Sequence, residues 1–137
     1  PLKGKAKVLY LLMAGSTNHM QSRIDNGAVT VAYKDGGTAR LPLRNPDNWW
    51  PIEQDYFIDD YQFRRAGPLP PRVDLKTGQV RLPEEQDFKG RGTAVAGGAA
   101  TALALELDPE RELHSLTIHA LANEVVIGLM AATLERP

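Results

Sequence analysis

The sequence predicts an all-β fold, an antiparallel β-sandwich. Three observations carry this reading. Several apolar or alternating segments have strand length, Gly-containing turns separate them, and no helical period is sustained. The 137 residues fit one domain spanning 1–137. At that length about two-thirds of the unfolded surface is buried on folding, so one core forms without staples.

Val8 to Met13 is a continuous apolar run followed by Ala14-Gly15-Ser16. Its shortness and the Gly-Ser stop predict a strand buried on both faces. In Ala28 to Tyr33, the residues Val29, Val31 and Tyr33 alternate on one face. Asp35-Gly36-Gly37 follows, then Thr38 to Leu43, so the pair reads as a β-hairpin whose turn uses glycine at φ > 0. Pro42 has no amide hydrogen, which places the second strand at an edge or ends it there.

Arg44 to Arg72 is rich in Pro, Asp and aromatic residues and has no period. It reads as a long ordered loop with short strand pieces, a length associated with function or with packing on a neighbour. Val73-Asp74-Leu75 and Gln79 to Leu82 flank Lys76-Thr77-Gly78 as a second hairpin. Pro83 to Gly92 is polar and reads as a loop. Leu103, Leu105 and Leu107 alternate before the break at Asp108-Pro109. The alanines from Ala94 onward also suit a helix, but Gly97-Gly98 costs about 1 kcal/mol per Gly there, so strand is preferred. Leu113 to Ala120 is a further strand, Asn123-Glu124 a turn, and Val125 to Leu134 a last apolar strand.

A formal net charge of −1 gives no basic excess for phosphate backbones or an anionic membrane surface. Nucleic acid and membrane are therefore not expected partners. The absence of cysteine excludes disulfides, thiolate metal sites and a Cys nucleophile. The longest apolar stretch is far short of the ~20 residues a spanning helix needs. No signal peptide is visible, and the start at Pro1 leads us to expect a piece of a larger precursor.

The densest local signal is Asn45 to Tyr56, which holds both tryptophans. A sugar ring has apolar C–H faces and a polar rim, so its site needs an aromatic platform beside carboxylates and amides. The candidate platform is Trp49 or Trp50 with Tyr56 or Tyr61. Gln54, Asp55 and Arg64 are the candidate hydroxyl partners. Adjacent tryptophans in an extended chain face opposite ways, so at most one faces outward. The alternative is that one or both anchor the loop in a core or interface.

Glu53, Asp55, Asp59 and Asp60 have three readings: solvated loop charge, a structural calcium site, or an acid–base pair for glycoside hydrolysis. No other cofactor is implied. His114 and His119, five apart in a strand, fall on opposite faces and do not share a metal. Asn18, His19 and Gln21 either line a site or satisfy a turn. Gly92, Gly97 and Gly98 lack the Lys-Ser or Lys-Thr of a phosphate loop, and no Gly-x-Ser-x-Gly elbow exists.

Leu9 to Asn18, then Val29 to Gly37, then Leu41-Pro42-Leu43 and Asn48-Trp49-Trp50 resemble a β-sandwich found beside catalytic domains of bacterial glycosidases. Leu116-Thr117-Ile118 and Val125 to Met130 are similar to that domain's last two strands. The resemblance covers about Lys5 to Leu134 and is weakest over Pro83 to Gly92. It implies a galactose-binding-like jelly roll, secreted or periplasmic, that accompanies a six-hairpin catalytic barrel. It carries over no catalytic residue. The strands such a jelly roll usually has before Leu9 are absent here, which implies either a fragment or a partner chain that supplies them. An open sheet edge then invites homo-oligomer pairing.

The expected function is a non-catalytic carbohydrate-binding or ancillary module, with a polysaccharide and the parent catalytic domain as partners. The alternative is a structural sandwich that packs on a catalytic domain or partner chain without binding sugar. A self-standing glycosidase is the third reading.

Overall fold

The computed structural model describes residues 1–17, 24–45, 47–55, 69–82, 93–122 and 125–137. Among the described residues ten strands follow one another: β1 (Val8–Gly15), β2 (Asp25–Tyr33), β3 (Thr38–Arg44), β4 (Gln54–Asp55), β5 (Arg72–Asp74), β6 (Val80–Arg81), β7 (Thr93–Ala94), β8 (Ala99–Glu106), β9 (Leu113–Ala120) and β10 (Ile127–Glu135). They form a five-stranded sheet ordered β10-β1-β8-β5-β6, a three-stranded sheet ordered β3-β2-β9 and a small β4-β7 ribbon. All pairings are antiparallel. The two larger sheets pack face to face, so the chain is a β-sandwich as its sequence predicts.

The core follows from the alternation of side chains along each strand. Leu9, Leu11 and Met13 of β1 are at most 2% exposed. They pair in register with Leu105, Leu103 and Thr101 of β8. Val29 and Val31 of β2 face them from the smaller sheet, with Leu43 and Leu113 in the same cluster. Each such side chain contributes roughly 1.5–3 kcal/mol by leaving water.

The structure corrects one detail of the sequence reading. Val8 to Met13 is apolar throughout, yet only one face is covered: Tyr10 is 46% exposed and Leu12 partly so. Ala94 to Leu107 is a turn and strand rather than a helix, with Gly97 and Gly98 both at positive φ. In β9, Leu113 and Leu116 both face inward although three residues apart. A register shift opposite Ala32 and Tyr33 reconciles them, since a β-bulge inserts one extra residue. The expected hairpins β2–β3 and β5–β6 both form. Pro42 lies in β3, at the edge of its sheet. The readings of Asn18 to Gln21, of Pro83 to Gly92 and of the turn at Asn123-Glu124 lie outside the described residues.

The β2–β3 turn is tied to the loop before β9. Gly36 takes φ +99°, which an L side chain rarely adopts. Arg111 Nε donates to Asp35 Oδ2 at 2.8 Å, and its guanidinium lies 4.2 Å from the centroid of the Tyr33 ring. The Arg111 hydrogen bond, helped by the Gly37 amide, holds the Asp35 carboxyl at about 2. A free Asp titrates near 3.9. A depressed carboxylate contributes stability that is complete above roughly pH 4 and is lost as pH falls through about 2. Asp35→Asn is therefore expected to remove part of the acid limb of the stability profile. Urea midpoints of the two proteins should differ at pH 6 and converge by about pH 2. A constant difference across that window would contradict this coupling.

Candidate functional site

The tryptophan loop is built from short-range hydrogen bonds. The Arg44 amide donates to Asn48 Oδ1 at 2.8 Å, and Asn48 Nδ2 donates to Pro42 O at 2.9 Å. The carboxamide thereby occupies backbone groups on the open side of β3, which shields an edge that would otherwise recruit another strand. Asn45, itself buried, donates from Nδ2 to Trp49 O at 3.0 Å.

The two tryptophans diverge, as adjacent residues of an extended chain do, but both end inside the protein. Trp49 is 0% exposed, belongs to the main core and donates from Nε1 to Ser16 O at 3.0 Å. Gly15 makes room for it. A Cβ there would sit 3.0 Å from the ring and 1.9 Å from Val126 O. Trp50 is 1% exposed and packs with Leu69 in a separate cluster. Beside it lies the guanidinium of Arg72, 5.9 Å from the ring centroid. The sugar-platform expectation for Trp49 and Trp50 is thus corrected: neither ring offers a face for stacking. The alternative, that they anchor the loop, is what the packing shows. The cause is that the loop has apolar material on both sides, so opposite-facing side chains are both buried.

Arg72 joins this loop to the larger sheet. It is fully buried and donates to Thr101 Oγ1 at 2.8 Å, Pro51 O at 3.0 Å and Gln54 O at 3.2 Å. Gln54 is partly exposed and meets Arg72 through its backbone carbonyl. Asp55 pairs through its backbone with Thr93. Tyr56, Tyr61, Arg64, Asp59 and Asp60 lie outside the described residues. Glu53 is exposed. Among the described residues no group of three or more His, Asp or Glu side chains converges with metal-binding geometry. His114 and His119 are both exposed.

Two surface features remain. One is a polar pocket of about 430 Å³ on the β3 side of the smaller sheet, lined by Asp25, Arg40, Pro42, Arg44, Asp47 and Asn48. Within it Asp25 accepts from Arg40 Nη2 at 3.2 Å and from Arg44 Nη2 at 3.0 Å. Desolvation pushes the Asp25 carboxyl up, but the hydrogen bonds and charges of the two arginines together outweigh it and hold it below its ordinary value.

The other is the outer face of the five-stranded sheet. There Tyr10 lies between Ala104 and Thr133, and Leu12 lies between Ala102 and Ala131. With Pro71 these residues line an apolar pocket of about 310 Å³. The sequence signal for it was present. Val8 to Met13 is apolar at every position, and alanines alternate with leucines along β8.

Compared with known proteins, the chain matches no family model, no curated protein and no solved structure. The described fold defines a small β-sandwich with one sheet face left apolar. Among the described residues no helix is long and apolar enough to cross a membrane.

Proposed function

We propose that the chain is a non-catalytic ancillary module that packs through the outer face of its five-stranded sheet on a larger protein. The observation that carries this is the mismatch in β1 and β8. Both strands are apolar on two faces, and the fold covers one. The outer surface of a sandwich sheet is ordinarily polar, whereas here Tyr10, Leu12, Ala102, Ala104 and Ala131 surround a pocket. Continuous apolar surface of this kind marks a protein contact. It extends onto the edge strand β10 through Ala131 and Thr133, which lie opposite Leu12 and Tyr10.

The kind of partner rests on the resemblance to glycosidase accessory domains. It makes the catalytic barrel of a secreted or periplasmic polysaccharide-degrading enzyme the protein that this face contacts. The burial of Trp49 and Trp50 supports packing over sugar capture by that loop.

The chain has no cysteine, so a single Glu106→Cys substitution at the rim of this face accepts one fluorophore. Titration with six-hairpin catalytic domains from the same genome is expected to give a saturable signal near ~10 μM. Leu12→Lys should weaken it about 100-fold while leaving the thermal midpoint unchanged. The absence of saturable binding to every such domain would overturn the reading.

A further inference from the structure

We infer that the chain pairs with a second copy of itself through β9, joining the two smaller sheets into one six-stranded sheet about a two-fold axis at Ile118. This goes beyond the packing reading, and no residue of the docking face takes part.

Among the described residues four strands end the two larger sheets, and three of them carry a device that discourages another strand. β3 holds Pro42, and Asn48 occupies backbone groups beside it. β6 has two residues. β10 carries an extra residue, Met130, where its pairing with β1 slips. β9 has none of these from Ser115 to Ala120. Its pairing with β2 is regular there, and that stretch holds no Pro, Lys, Arg, Asp or Glu.

The open backbone groups of β9 follow from alternation along an antiparallel ladder. The Leu121 amide donates to Asn26 O at 2.9 Å, toward β2. The N–H and C=O of Leu116, Ile118 and Ala120 therefore point to the open side. The Leu116 and Ile118 side chains lie on the inner face and are only partly buried against the core. At the start of the strand the edge is already taken. Leu2 N donates to His114 O and Leu113 N to Gly4 O, each at 2.8 Å. An added strand thus has room from Ser115 onward and must stop before Leu2.

A second copy of β9 meets these limits in one register. With Ile118 on the axis, Leu116 pairs with Ala120 of the second copy, Ile118 with Ile118, and Ala120 with Leu116. The open groups of all three residues are then used, and a large side chain lies against a small one at both ends. β9 ends at Ala120, so the added strand stops short of Leu2. An axis nearer Leu113 drives the strand end into Leu2, and an axis beyond Ile118 leaves Leu116 unpaired. The strip is uncharged, so two copies meet without repulsion. In the other sheet β10 is the neighbour of β9. Its Leu129, set opposite Met13, is 41% exposed, and the widened sheet extends over it.

Sedimentation equilibrium of the whole chain tests this. The mass is expected to rise from 15.0 kDa toward twice that value as concentration increases. The dissociation constant should lie near ~10 μM. In the inferred register the exposed outer residue Thr117 faces His119 of the second copy. Thr117→Lys combined with His119→Lys sets like charges opposite one another and should weaken the dimer about 30-fold or more. Thr117→Glu combined with His119→Lys sets opposite charges there and should restore it. The register has its own readout, because the chain has no cysteine. Thr117→Cys mixed with His119→Cys should give a disulfide-linked dimer, since facing residues of this kind lie ~4.5 Å apart at Cα. Either protein alone should not, because its two thiols are diagonal neighbours at ~7–8 Å. Leu12→Lys should dimerise as the wild type does, so failure of the docking reading is seen separately. A chain that remains a monomer up to ~200 μM, well above that constant, would overturn the inference. So would a dimer that the two lysines leave intact, or cross-linking no greater in the mixture than in either protein alone.

Discussion

Trp49→Ala is expected to destabilise the protein by about 3–5 kcal/mol, the range for removing a large aromatic ring from a core. Domains of this size have ~5–15 kcal/mol in total, so the variant should be partly unfolded under mild stress. Two contributions add. The ring is 0% exposed within the main cluster, and its truncation leaves a cavity between Gly15 and the rest of the core. Its Nε1–H also satisfies Ser16 O, which would then depend on water. Trp49→Phe retains most of the packing and loses the hydrogen bond, so it should cost about 1–2 kcal/mol. Urea denaturation followed by circular dichroism measures both. The wild-type tryptophan emission should be blue-shifted and resist a neutral quencher. A cost below 1 kcal/mol for Trp49→Ala, or emission quenched like free tryptophan, would return the ring to the surface and revive the sugar-platform reading.

The contrast between the two tryptophans and the outer sheet face shows what the sequence made legible. Alternation placed Val29, Val31 and Tyr33 on one face, and Gly36 marked the turn, because both signals act over two to four residues. The fate of Trp49 and Trp50 is not local. It depends on Gly15 and Ser16, more than thirty residues earlier, and on Arg72, more than twenty later. The polar pocket was equally hidden. Asp25, Arg40 and Asp47 meet only because antiparallel pairing of β2 and β3 sets Asp25 opposite Arg44. The apolar outer face was half legible. The continuous run Val8 to Met13 announced two apolar faces, but periodicity alone does not say whether the second is covered by the same chain or by another protein.

Arg72→Met should be as costly as the tryptophan truncation, by another route. The Arg72 side chain is entirely buried, and its guanidinium reaches Thr101 Oγ1, Pro51 O and Gln54 O. Methionine fills a similar volume, so little cavity forms. What changes is that two backbone carbonyls and a hydroxyl in the interior lose a charged donor. Each such buried loss costs ~1–3 kcal/mol, and three losses toward the lower end of that range give about 3–5 kcal/mol in all. Arg72→Lys should recover only part of this, because an ammonium cannot reproduce the planar fork that spans separated acceptors. The damage should also be directional. The guanidinium lies beside Trp50, and the acceptors belong to the segment Pro51 to Gln54, so amide exchange should rise there first. The β1–β10 ladder should be the last to follow. Buried charges are sometimes replaced by apolar residues without loss, and that possibility gives the measurement its force. An Arg72→Met protein as stable as wild type, with Trp50 still protected, would mean that loop packing alone holds the segment. A protein that loses several kcal/mol, and loses protection at Ile52 before Leu11, would show that the guanidinium holds the loop against the sheet.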